Sequence, residues 1–70
     1  MTDEDLDIVG AMDKFGGSFV KALAKLCYYA DPTNLSKIKE TWWKYWLEYA
    51  KIAQMDKERQ LKIDKEFDNA

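Results

Sequence analysis

Histidine is absent from the 70-residue chain, and Cys27 is its only cysteine. Because histidine is the usual acid–base group near neutral pH and a leading metal ligand, one copy of the chain offers neither a zinc site nor a Cys–His pair. The carboxylates fall on predicted exposed helix faces, so we expect no catalytic residue, no metal and no cofactor. We therefore expect a protein that is not an enzyme and that acts by binding.

Long apolar runs are also lacking, because no stretch approaches the ~20 residues that a membrane-spanning helix needs. The first residues, Met-Thr-Asp-Glu-Asp, are acidic, whereas a signal peptide begins with basic residues. A single cysteine allows no internal disulfide and gives no reason to expect an oxidising compartment. We expect no contact with a membrane and a cytoplasmic location.

Net charge is low, at −2, but it is unevenly distributed. Residues 1–15 carry five acids against one lysine, a net −4, and residues 16–53 carry six lysines against three acids, a net +3. Nucleic-acid-binding modules usually have a basic surplus, so the overall acidity argues against nucleic acid as the partner. The positive middle segment argues equally against a DNA mimic.

Apolar residues make up 47% of the chain and aromatic residues 14%, which is high for this length. This content supports a single helical domain over residues 1–70 with a real core. It also exceeds what one small monomer can readily bury, so the composition favours association with a protein partner, a homodimer being one option.

The first helix is predicted over Asp3–Phe15, with Thr2 as its N-cap and acids in its first turn. Gly16 and Gly17 then interrupt the chain. Ser18 is the predicted cap of a second helix over Phe19–Ala30. Its apolar arc is broad enough for packing on two sides, which predicts a central position in the bundle. The arc comprises Phe19, Val20, Leu23, Ala24, Leu26, Cys27 and Ala30.

Asp31-Pro32 predicts a further helix start, with Asp31 as cap and Pro32 in the first turn. Residues 32–67 fit either one long helix or two helices with a break near Thr41, itself a candidate cap. We favour the break because a single helix would be unusually long. The charged end is expected to fray after about residue 60. The predicted fold is all-α, a small bundle of three short helices and a longer C-terminal one.

The segment from Lys14 to Ser18 has two interpretations. Gly16 and Gly17 could let backbone amides converge on an anion at the start of the second helix, with Lys14 and Ser18 beside it. This would make the protein a small-ligand or nucleotide binder. The simpler interpretation is a joint between helices, which we favour because the glycine pattern of a phosphate-binding loop is incomplete.

Four large aromatic residues lie within five positions of the segment 42–46, and they cannot all face one side of a helix. Trp42 and Trp46, with Tyr49, are predicted to belong to the core. The remaining aromatic side chains should be partly exposed, as is common at protein interfaces. The predicted partner-binding residues are Trp43, Lys44, Tyr45, Met55 and Leu61.

Three segments resemble a group of small bacteriophage reading frames without an assigned biochemical function: Phe-Gly-Gly-Ser-Phe-Val-x-Ala-Leu from Phe15, Ala-Asp-Pro-x-Asn from Ala30, and Trp-x-x-Tyr from Trp46. The resemblance covers about residues 10–50. The relatives carry proline near the position of Trp43, which supports a helix break there, and this chain departs from them at that position. The resemblance implies a viral accessory role in the host cytoplasm, such as modulating a host or defence protein. It assigns no functional residue.

Overall fold

The computed structural model describes the backbone of residues 1–68 and the side chains of residues 1–62. This part of the chain forms four helices, which confirms the predicted all-α bundle of three short helices and one longer helix. The helices are α1 (Asp3–Phe15), α2 (Ser18–Tyr29), α3 (Pro32–Thr41) and α4 (Trp43–Asp68).

Local capping explains where α1 and α3 begin, and both predicted caps are confirmed. The Thr2 hydroxyl accepts from the backbone N–H of Asp5 at 3.1 Å, and the Asp5 carboxylate accepts from the backbone N–H of Thr2. This reciprocal pair satisfies two N–H groups that the helix itself leaves without partners. At α3 the Asp31 carboxylate accepts from the N–H of Asn34 at 2.8 Å, and Pro32 occupies the first turn.

The predicted cap of α2 is wrong. Ser18 is the first residue of the helix, and Gly17 is its N-cap without any side-chain hydrogen bond. The extended backbone of Gly17 (φ −75°) places its carbonyl to accept from the N–H of Lys21 at 2.9 Å, so the helix begins one residue early. The helix also ends one residue early, because Ala30 is its C-cap.

Residues 32–68 form two helices, as favoured from the sequence, and the break lies at Trp42. Thr41 is the last residue of α3 and does not cap α4. Trp42 has non-helical dihedral angles (φ −114°, ψ 40°), yet its N–H still donates to Ile38 and its carbonyl accepts from Trp46. The break is therefore a one-residue kink without a loop.

The core centres on α1, and the predicted central position of α2 is wrong. α1 packs against both α2 and α4, and α3 packs against α4. The buried side chains of α1 (Ile8, Val9, Ala11 and Met12) span a wide arc of its surface. α2 buries Val20, Leu23, Ala24 and Cys27, whereas Phe19 and Leu26 are about half exposed.

Two exposed ion pairs join residues far apart in the sequence and connect α4 to α1 at the surface. Lys14 Nζ lies 3.4 Å from Asp56 Oδ2, and Lys57 Nζ lies 2.8 Å from Asp7 Oδ2. The 26 residues of α4 correspond to ~39 Å of helix, close to the 46 Å long dimension of the molecule. Most of the predicted frayed segment, residues 63–70, lies outside the side chains that the structure describes.

Candidate functional site

The aromatic segment at the start of α4 divides between core and surface. Tyr49 is buried, and Trp42 and Trp46 are partly buried against the core, which confirms their predicted core positions. Trp43 is 53% exposed and Tyr45 is 36% exposed. The kink at Trp42 lets the indole of Trp42 pack against the core while the indole of Trp43, the first residue of α4, faces solvent.

The five predicted partner-binding residues do not share one surface. Trp43 and Leu61 lie on one outer face of α4, because their 18-residue separation is five helical turns at 3.6 residues per turn. Exposed Leu47 lies beside Trp43 on that face. We call Trp43, Leu47 and Leu61 the outer face of α4.

Tyr45 and Met55 do not belong to the outer face of α4. The Tyr45 ring lies 5.8 Å from the ring of Phe19 in α2. Met55 lines a pocket of about 200 Å³ together with Phe15, at the end of α1. Lys44 packs over the ring of Trp43, with its Nζ 5.7 Å from the centroid. The predicted set is therefore split between the outer face of α4 and the side that meets α1 and α2.

A more continuous apolar surface lies between α2 and α3. It contains a groove of about 270 Å³. We call this groove, together with Phe19 and Tyr45 at its end, the aromatic groove. The residues that line it are Leu26, Tyr29, Ala30, Asn34, Lys37, Ile38, Thr41 and Trp42.

Ring contacts extend the groove toward α4. The ring of Phe19 lies edge-on to Trp42, with centroids 6.3 Å apart, and it also contacts Tyr45. Side chains from α2 and α4 and the kink residue thus form one aromatic cluster. Leu26 is 50% exposed and Tyr29 is 84% exposed, so this apolar surface faces solvent.

Three residues of this surface are not predicted from the sequence, because the pattern assigns Phe19 and Leu26 to the core and leaves Tyr29 outside the apolar arc. Positions 19, 22, 26 and 29 have the 3-4-3 spacing of one helix face. The width of the apolar arc of α2 was a correct signal, but it was interpreted as packing on two sides. One side packs on α1, and the other side is open.

The Lys14–Ser18 segment acts as a helix joint, which is the interpretation favoured above. Gly16 is buried and donates its N–H to Met12 O at 2.9 Å. The Lys14 ammonium is directed to Asp56 and lies 5.0 Å from the Phe15 ring centroid. These contacts turn Lys14 toward α4. An anion site formed by Lys14, Gly16, Gly17 and Ser18 stays a prediction.

A partly buried ion pair links α3 to α1. Lys39 Nζ lies 2.8 Å from Asp5 Oδ1 and 5.1 Å above the Trp46 ring, so Lys39 of α3 joins α1 to α4. Burial alone would raise the pKa of the Asp5 carboxyl. The hydrogen bond from Lys39, the hydrogen bonds from Thr2 and the charge of Lys39 outweigh burial and hold this pKa below its usual value.

The depressed pKa of Asp5 predicts a loss of stability in acid. A group with a lower pKa in the folded than in the unfolded state stabilises the fold above its unfolded pKa, about 3.9 for aspartate. That contribution is lost as the pH falls from about 5 through the folded-state pKa. Urea melts between pH 7 and pH 3 should show Asp5→Asn less stable at pH 7 and less sensitive to acid than the wild type. If the stability of Asp5→Asn falls between pH 7 and pH 3 as steeply as that of the wild type, the role of Asp5 is contradicted. Asp13→Asn, at an exposed position of α1, is the control.

The chain matches no protein-family model, and neither a curated protein nor a solved structure is similar to it. Within the described residues, no helix has both the length and the apolar character that a membrane span would require. The geometry of the chain itself is therefore the basis for a functional proposal.

Proposed function

We propose that the protein is a non-enzymatic protein-interaction module that binds its partner through the aromatic groove. One observation carries the proposal: Phe19, Trp42 and Tyr45 form a ring cluster that continues into a groove bordered by half-exposed Leu26. A surface of this kind is typical of protein-interaction sites, where aromatic side chains supply most of the binding energy.

The biological setting that we propose follows from the resemblance to small bacteriophage reading frames. In that setting the protein is an accessory factor in the host cytoplasm that binds and modulates a host or defence protein. This part rests on the sequence resemblance, whereas the location of the binding surface rests on the packing of α2, α3 and α4.

A capture experiment with paired variants tests the binding surface. Leu26→Glu places a charge in the groove at a half-exposed position, and we expect it to weaken partner capture at least about tenfold, as for an interface hot spot. Leu47→Glu introduces the same charge on the outer face of α4, where the exposure is 55%, and should leave capture unchanged. Circular dichroism checks that both variants keep the wild-type helix content.

Three results would contradict this assignment. Loss of capture with Leu47→Glu alone would move the interface to the outer face of α4. Equal capture by the wild type and both variants would remove the groove from the interaction. A doubled mass in light scattering, abolished by Leu26→Glu, would identify the partner as a second copy and replace the proposed foreign protein by a homodimer.

A further inference from the structure

The aromatic groove has an apolar border long enough to contact about three turns of a helix. It lies between two helices, α2 and α3, with Ile38 and Trp42 among its lining residues. The apolar stripe along α2, from Phe19 to Tyr29, covers ten residue steps, or ~15 Å. An amphipathic helix of about three turns can place its apolar side chains at i, i+3 or i+4, and i+7 along such a stripe.

The one charged residue that lines the groove is basic, and Asp31, an acid adjacent to the groove along the chain, caps α3 by accepting from the N–H of Asn34. Lys37 lines it from α3, and none of its eight lining residues is acidic. On α2, exposed Lys25 directly precedes Leu26. Because Lys25 and Lys37 outnumber Asp31 at this rim, an acidic partner surface would complement it better than a basic one.

A second copy of the chain is a poor occupant of the groove. Its acidic helix is α1, since residues 1–15 carry a net charge of −4. The apolar face of α1 is already buried in its own core through Ile8, Val9 and Met12. Among its large apolar side chains only Leu6 and Phe15 are exposed, and they are nine residues apart. α1 therefore lacks the continuous apolar stripe that the groove would bind.

We infer that the aromatic groove binds an acidic amphipathic helix of another protein. This inference rests on the proposed function and adds the class of partner. The apolar stripe of that helix lies on Leu26, Trp42 and Phe19, and its glutamate or aspartate side chains lie beside Lys25 and Lys37.

Two synthetic peptides test the charge of the partner. Each has about 18 residues with leucine at every third or fourth position; the other positions are alanine and glutamate in the acidic probe and alanine and lysine in the basic probe. Calorimetric titration should show that the acidic probe binds at least about tenfold tighter than the basic probe. The ratio of the two affinities should decrease as the salt concentration is raised. The indole N–H signal of Trp42 should shift in the NMR spectrum on binding.

Charge-reversal variants locate the effect. The double variant Lys25→Glu, Lys37→Glu should bind the basic probe more tightly than the acidic probe. The control pair Lys51→Glu and Lys62→Glu changes the net charge equally on exposed positions of α4 and should preserve the order. Leu26→Glu should lower the affinity for the acidic probe at least about tenfold.

Several outcomes would overturn the inference. These are equal affinity for the two probes, no binding of the acidic probe, or a preference that survives reversal at Lys25 and Lys37. Tighter binding of a single-stranded oligothymidylate than of the acidic probe would assign the groove to nucleic acid. If capture of the partner still depends on Leu26 in any of the first three cases, only the class of partner is wrong; capture independent of Leu26 would overturn the proposed function itself.

Discussion

Replacement of Met12 by alanine is expected to lower the free energy of unfolding by about 2–5 kcal/mol. Met12 is completely buried on α1, the helix that packs against both α2 and α4, so truncation of its side chain leaves a cavity in the core. Small domains have little stability in reserve, and a loss of this size would unfold a large fraction of the molecules. Urea denaturation followed by circular dichroism measures the change.

Met55→Ala is the matched control for this substitution. Met55 is 67% exposed on α4, so the same atoms are removed from solvent-exposed surface and the stability should change by less than about 0.5 kcal/mol. Similar losses for the two variants would show that α1 is not the centre of the core. Leu23 belongs to the predicted apolar arc of α2 and is only 5% exposed, so Leu23→Ala should behave like Met12→Ala.

The second large effect is expected at the joint between α1 and α2. A Cβ atom at Gly16 would lie 2.5 Å from both Met12 O and Val20 Cγ1. Neither contact can be relieved by a flexible side-chain end, because one atom is backbone and the other belongs to a buried valine. Gly16→Ala should therefore force α1 and α2 apart and lower the free energy of unfolding by roughly 1–3 kcal/mol.

Gly17→Ala separates this steric effect from the general effect of losing a glycine. Gly17 has nearly the same φ, −75° against −74° for Gly16, but a Cβ atom there would have no neighbour within 4 Å. Alanine at position 17 should thus be neutral or stabilise the fold by up to about 1 kcal/mol, because it restricts the unfolded chain. Thermal melts of the two variants give the comparison, and equal destabilisation would contradict the close approach of α1 and α2 at Gly16.

Local signals made much of the fold predictable. The bounds of α1 follow from Thr2 and the two glycines after Phe15, and the start of α3 follows from Asp31-Pro32. Each of these signals acts within about four residues, through a hydrogen bond or a restricted dihedral angle. Sequence patterns can therefore locate helix ends without knowledge of the tertiary contacts.

The position of the candidate site was not predictable in the same way. Periodicity showed that α2 has a broad apolar arc, but it could not show which side of that arc a neighbour covers. The answer depends on α4 lying against α1, which involves contacts such as Lys57–Asp7, 50 residues apart. α4 packs against α1 and does not cover the side of α2 that carries Phe19, Leu26 and Tyr29. That side of α2 therefore remains exposed to solvent.

Site-specific photo-crosslinking in cells that contain the partner tests directly whether the protein binds through the aromatic groove. A photoreactive phenylalanine analogue replaces either Tyr29, which is 84% exposed at the groove, or Gln54, which is exposed on α4. We expect a covalent adduct with another protein from position 29 and none from position 54. An adduct from position 54 alone, or no adduct from position 29 in cells where the wild type captures its partner, would contradict binding through the aromatic groove.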